Sequence, residues 1–200
     1  LWIACYNTIY RSVMQPAIRN CRLSELDNEE AVTAVVEHEG TMWLGTGRGR
    51  LLQQTLRGWA TVATPWSDEH AQRPGHRTVE AMYSAPTGQL IVGTRRCGTW
   101  IWRDRWQRVA TGVEDVRSLV VSERSHLWIA AGRALYAADL DAPEPMARLL
   151  QELPDPGRAG SLVVDAEGTV WLAAYRGGLW RRRAGEATFR EQAPEWWDQV

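Results

Sequence analysis

Lysine is missing altogether, phenylalanine occurs once, and the three cysteines include no CxxC pair. An odd cysteine count without paired spacing indicates neither a zinc ribbon nor a disulfide framework, although Cys5 and Cys21 are a pair that an oxidising compartment would permit. No stretch approaches 18 apolar residues, the length a membrane-crossing helix needs, so no membrane segment is expected in this chain. Charge excess of either sign is also missing. A net charge of −1 gives nucleic acid and anionic membranes no overall attraction, and neither is an expected partner. No Ser-His-Asp, HExxH, P-loop or GxGxxG stretch stands in a supporting context. His38, His70, His76 and His126 are scattered, so no metal site and no cofactor is expected. All 23 basic residues are arginine, which by itself carries no functional weight.

Tryptophan is what the chain has in excess, with 12 residues, and Trp2, Trp43, Trp128 and Trp171 recur at one position of a repeated pattern. The pattern is clearest from Ser161 to Arg183, where three short apolar runs are cut by Ala166-Glu167-Gly168-Thr169 and Arg176-Gly177-Gly178. Copies lie at His38 to Gln54, Thr87 to Asp104 and Arg124 to Asp139, with a shortened one at the start. The anchors Leu1, Met42, Leu90, Leu127 and Val170 are 41, 48, 37 and 43 residues apart. Four short strands at a period of this size are the signature of a β-propeller blade, and the lack of any 3.6-residue periodicity excludes helix pairs.

The expected fold is therefore all-β, a β-propeller of four-stranded antiparallel blades, with about five blades present as an open part of a larger ring. The blades are expected at residues 1–23 (incomplete), 31–63, 79–110, 116–150 and 161–192, with 193–200 leading into a further blade, all within one partial propeller spanning 1–200. Both ends are expected to be cuts in a longer protein. Trp2, Trp43, Ile91, Trp128 and Trp171 are expected between blades, a position that wants bulk rather than an indole, since Ile91 serves in one copy. In the last expected blade the inner strand is placed at Ser161 to Asp165, and in the blade before it the outer strand at Met146 to Leu150. The longest connection, Thr64 to Thr78, marks an insertion of the kind that maps to a binding face.

A Val-rich strand, a Gly turn, [LMV]-W-[IL]-[GA], a second Gly turn and an apolar-plus-basic strand together resemble the two-component regulator propeller repeat. The matches are Val32 to Met42-Trp43-Leu44-Gly45-Thr46, Val79 to Leu90-Ile91-Val92-Gly93-Thr94, Val116 to Leu127-Trp128-Ile129-Ala130 and Leu162 to Val170-Trp171-Leu172-Ala173. Ala131 and Ala174 depart from the pattern, which has Thr there. The resemblance implies a mostly seven-bladed, periplasmic sensor module, tethered to a kinase or cyclase output domain of the same bacterial protein, with a dimer as a receptor arrangement. Carbohydrate fragments are the ligands it implies. Val164 to Trp171 also resembles the Asp-box turn of sialidases, a structural turn rather than a catalytic one.

In an up-and-down blade, the turn between second and third strands faces the same rim as the connection into the next blade. That rim gathers Asn7, Arg48, Arg50, Arg95, Arg96, Arg133, Tyr175 and Arg176, with His76, Arg77 and Trp197 on the connections. Guanidinium forks suit carboxylates and sulfates, and aromatics stack on sugar rings, so a carbohydrate or other small anionic ligand is the expected partner. The same arginines also fit ordinary solvated turn residues. The expected function is a non-catalytic ligand-sensing module. The alternatives are a propeller lyase or glycosidase, which needs positioned carboxylates, and a protein-interaction platform, which needs an apolar rim patch.

Overall fold

The computed structural model describes residues 2–5, 8–11, 19–22, 26, 30–66, 77–110, 113–122, 125–176 and 178–192, with the first three segments as backbone. The first sheet holds β1 (Trp2–Cys5), β2 (Thr8–Arg11) and β3 (Arg19–Arg22). Four antiparallel sheets of four strands follow, each in chain order from inner to outer edge. They are β4 (Val32–His38), β5 (Thr41–Thr46), β6 (Leu51–Thr55) and β7 (Gly58–Val62); then β8 (Val79–Ser84), β9 (Leu90–Thr94), β10 (Thr99–Trp102) and β11 (Trp106–Ala110). Next come β12 (Val116–Val121), β13 (His126–Ala131), β14 (Ala134–Asp139) and β15 (Arg148–Glu152); last are β16 (Arg158–Val164), β17 (Val170–Tyr175), β18 (Gly178–Arg182) and β19 (Arg190–Gln192). The inner strands pack in succession, β1 on β4, β4 on β8, β8 on β12 and β12 on β16, which is the arrangement of a propeller.

Two strands depart from their sequence positions, each for a local reason. The inner strand of the last blade begins at Arg158 rather than Ser161, because a bulge between Arg158 and Ser161 keeps it paired to β17. Gly160 permits this, since a Cβ there would stand 2.4 Å from the Ala173 carbonyl oxygen. The outer strand β15 is displaced to Arg148–Glu152 because Ala147 N–H is already committed to the Val109 carbonyl of the preceding blade, at 2.9 Å.

The core lies between blades rather than within them. Trp43 is 4% exposed in a cluster with Val79, Leu90 and Val92 of the next blade, and Ile91 packs with Val116, Leu119 and Leu127 of the blade after. Trp128 joins Leu162, Val170, Leu172 and Phe189 in the same way. Trp171 is half-buried; the side chain of Trp2 lies outside the described residues. Trp66, in the long connection, is buried against Trp100 at 5.9 Å and Trp106 at 5.2 Å, so it fills the seam between two blades rather than offering a free aromatic surface.

A belt of hydrogen bonds runs around one rim. Gly47 N–H donates to the Ala31 carbonyl, Thr78 Oγ1–H to Gly47, Arg95 N–H to Thr78, Asp115 N–H to Arg95, Gly132 N–H to Asp115 and Ala159 N–H to Gly132. Each donor and acceptor alternates between a second-to-third-strand turn and the start of a neighbouring inner strand. The same four inner strands each carry a bulge at their start, at Thr33, Glu80, Arg117 and Ala159-Gly160. Thr33 closes its own bulge by donating to the Val79 carbonyl at 2.6 Å.

Residue size alternates across the seams. A Cβ at Gly45 would lie 2.3 Å from Val79 Cγ1, and one at Gly93 2.5 Å from Val116 Cγ1. At the third seam the corresponding positions are Ala130 and Ala159, both buried in one cluster. Glycine opposite valine has become alanine opposite alanine. The Thr-to-Ala departures follow the turns: Thr46 accepts from Arg50 N–H and Thr94 from Cys97 N–H within four-residue turns, whereas Ala131 pairs directly with Ala134 across Gly132-Arg133. A tight hairpin has no turn amide for a hydroxyl to satisfy.

Gly45→Ala is expected to destabilise by about 1–3 kcal/mol through overpacking. In a double-mutant cycle read by denaturant unfolding, Val79→Ala is expected to relieve part of that loss, with a coupling of roughly 1 kcal/mol. Strict additivity of the two changes would refute the size matching.

Candidate functional site

The belt sets the site. It brings the turns carrying Arg48 and Arg50, Arg95 and Arg96, and Arg133 beside the inner-strand starts at Arg77, Glu80, Asp115 and Arg117. Trp66 donates from Nε1 to the Gly49 carbonyl at 2.9 Å and anchors the long connection to the first of these turns. Tyr175 and Arg176 stand at the corresponding turn of the last blade, with the Arg176 guanidinium 5.4 Å from the Tyr175 ring centroid. Asn7, His76 and Trp197 lie outside the described residues.

The rim arginines do not converge on one bare anion site. Arg50 forks onto Glu30, with Nε 3.1 Å from Oε1 and Nη2 2.9 Å from Oε2, and the Glu30 side chain is 1% exposed. Arg95 donates from Nε to Glu80 Oε1 at 2.6 Å. Arg117 reaches the other Glu80 oxygen at 3.7 Å and Asp115 Oδ1 at 2.8 Å. Arg133 meets Asp155 at 3.0 Å and the Leu153 carbonyl at 3.4 Å. Arg48 and Arg96 are exposed, and Arg77 is half-buried. The sequence reading missed Glu30, Glu80 and Arg117. The signal for the last two was a charge inside an otherwise apolar inner strand, VEAMYS and VRSLVV, which a bulge turns out of the blade stack.

The result is a ladder of alternating charge, Arg95–Glu80–Arg117–Asp115, running from one blade to the next. Four arginines and four carboxylates cancel along Arg50, Glu30, Arg95, Glu80, Arg117, Asp115, Arg133 and Asp155. Arg95 and Arg117 remain 41% and 39% exposed, so their outer N–H groups face solvent while their charge is neutralised.

The opposite rim carries the first-to-second-strand turns. Asp165 accepts at Oδ1 from the Thr169 and Glu167 amides and at Oδ2 from the Trp171 indole at 2.8 Å; these bonds, that of Trp171 foremost, hold its carboxyl below the usual range. His38 is buried, lies 3.0 Å from Ser84 Oγ across a seam, and has its pKa lowered by burial, with Glu39 opposing. Among the described residues no group of three or more His, Cys, Asp or Glu side chains is placed to hold a metal ion, and no helix is long and apolar enough to cross a membrane.

Fold and rim together define a β-propeller, and the comparisons with solved structures agree. The extracellular domain of BT4673 from B. thetaiotaomicron, assigned to a hybrid two component system, superposes with a TM-score of 0.68 at 15% identity, covering 95% of this chain and 25% of that one. Virginiamycin B lyase from Staphylococcus aureus gives 0.73 at 13% identity, over 95% of this chain and 64% of that one. PorZ of Porphyromonas gingivalis, a component of its type-IX secretion system, gives 0.70 at 16%, over 96% and 32%. This chain thus spans between a quarter and about two thirds of the length of these structures. No family model and no curated protein matches the sequence.

Two outcomes are expected. Arg50→Ala leaves the buried Glu30 carboxylate without its fork, and should lower stability by about 2 kcal/mol, the usual cost of breaking a buried pair reduced because Arg50 is partly solvated. Native-like stability in urea unfolding would show the pair to be dispensable. His38, with its folded pKa below 6.5, is protonated more readily in the unfolded chain, so stability is full above 6.5 and falls as pH drops below it. His38→Gln should flatten that slope in midpoints recorded between pH 7 and 5.

Proposed function

We propose that this chain is a non-catalytic ligand-sensing module of a bacterial signalling receptor, binding a carbohydrate on the belt rim. The observation that carries the reading is the neutral ladder Arg95–Glu80–Arg117–Asp115. Sugar hydroxyls are both donors and acceptors. A row of guanidinium and carboxylate groups held in fixed register offers a complementary partner to each, whereas a bare anion would find the charge of these four ladder groups already paired. The charged expectation for the rim is thereby narrowed to polyhydroxylated ligands, with an acidic group tolerated rather than required.

The likeness to the extracellular domain of BT4673 supports a sensor on the outer side of a membrane, with further blades and an output domain in the same protein. The signal would follow from differential affinity, the ligand favouring one arrangement of adjacent blades and biasing the output they are tethered to.

The test is thermal unfolding of the full chain against neutral and acidic oligosaccharides, at low and high salt. A neutral oligosaccharide is expected to raise the midpoint with little salt dependence, because no net charge is neutralised on binding. Glu80→Gln and Arg117→Ala should each remove the shift. The reading fails when no saccharide moves the midpoint, or when the shift survives both substitutions.

A further inference from the structure

On the rim opposite the belt, a cleft of about 370 Å³ opens between the third and fourth complete blades. Ser122, His126 and Trp128 line it from one blade, and Glu167, Val170 and Arg182 from the other. The Arg182 guanidinium lies 4.6 Å from the Trp128 ring centroid. Two donors in this wall are buried and have no hydrogen-bond partner, the Trp128 indole N–H and the Arg182 Nε–H. Trp128 is 4% exposed, and among the described residues no side chain supplies its acceptor. Leaving such groups unmet is costly, and buried donors of this kind ask for an explanation.

The neighbouring blade shows what satisfies the indole. At the equivalent position Trp171 gives its indole N–H to the Asp165 carboxylate at 2.8 Å. Counting back five residues from the anchors Val170 and Leu127, Asp165 corresponds to Ser122. The third blade therefore keeps the indole but has replaced its carboxylate with a short hydroxyl, and a cleft lies there. Both indoles carry a guanidinium over the ring, Arg182 over Trp128 at 4.6 Å and Arg181 over Trp171 at 5.8 Å, so the missing carboxylate is what sets the third blade apart. Burial lowers the Arg182 pKa, with the Glu186 charge opposing, as fits a cation held away from water. Glu186 itself accepts from the Arg183 amide and faces Arg190. The other acid in the cleft, Glu167, is exposed and suits a ligand hydroxyl donor.

We propose that this cleft binds a small hydroxycarboxylic acid, its carboxylate accepting from Trp128 Nε1–H and Arg182 in the place that Asp165 fills one blade further on, and its hydroxyls reaching Glu167 and Ser122. The volume suits a molecule of monosaccharide size. This site is independent of the belt rim and does not rest on the sensing function proposed there.

The probe is gluconate, with sorbitol as its control lacking the carboxylate, titrated calorimetrically into the full chain. Gluconate is expected to bind and sorbitol not. Arg182→Gln should weaken gluconate by about tenfold to a hundredfold, the worth of a charge-assisted hydrogen bond. Ser122→Asp is the sharper variant: it supplies the missing carboxylate from within, and is expected to abolish binding while raising the unfolding midpoint of the unliganded protein. Equal binding of gluconate and sorbitol, no binding of either, or unchanged gluconate affinity in a cooperatively unfolding Ser122→Asp protein would each overturn the proposal. Should Ser122→Asp not fold, Arg182→Gln decides alone, and unchanged affinity there overturns it.

Discussion

The rim belt is the constraint on which the rest depends. At the edge of a propeller blade the amide and carbonyl groups just past the strand ends have no ladder to join, and unpaired buried backbone groups are costly. Here they are satisfied alternately within a blade and across a seam: Arg95 N–H by Thr78 and Gly132 N–H by Asp115 within one blade, Asp115 N–H by Arg95 and Ala159 N–H by Gly132 from the blade before. Each bond reaches across a seam or closes on the start of an inner strand, so the angle between blades is fixed by hydrogen bonds as well as by packing. The bulges follow from the same requirement. An extra residue at the start of each inner strand frees the chain to meet the turn beside it. Glu80, 14% exposed, is charged at its bulge because Arg95 and Arg117 pair with it, and Glu80 and Arg117 meet because successive blades present the same position to one another.

The seams are then closed by volume. Gly45 against Val79 and Gly93 against Val116 are two instances of one solution, and Ala130 with Ala159, buried in one cluster, is a second in which both residues are small. Close packing makes such pairs interdependent, since one methyl group too many has nowhere to go. The aromatic of the second strand sits in the same seams, where Trp43, Ile91 and Trp128 are each almost wholly buried against the following blade.

The fold was legible because repetition averages out local ambiguity. One Val-rich run proves little, but the same run before four turns, three of them with Gly, and four bulky anchors leaves few architectures that bury every copy. What could not be read were the consequences of pairing. Arg158 to Gly160 looks like turn sequence, and only the bulge opposite Ala173 makes it strand. The arginines of the turns were visible, but their partners were not. Glu30 lies 20 positions before Arg50 in a stretch that reads as a solvated acidic connection, and its burial depends on the neighbouring turn folding over it. Trp66 stands in the longest connection, and its partners Trp100 and Trp106 belong to the next repeat.

The two rims differ in how charge is finished. On the belt rim, Arg50, Arg95, Arg117 and Arg133 each meet a carboxylate, and what these pairs present outward is a set of oriented hydrogen-bonding edges. On the opposite rim the Asp165 carboxylate is spent inside its own blade, holding two amides and one indole, so the fourth blade is complete there. The third blade is not. It has lost that carboxylate at Ser122, kept Trp128, and received Arg182 from across the seam, which leaves the Trp128 indole at a cleft without the acceptor that Trp171 has one blade further on. Divergence between repeats that share one backbone is how such folds acquire sites: the common fold supplies the geometry, and a single replaced side chain turns an internal bond into an external one.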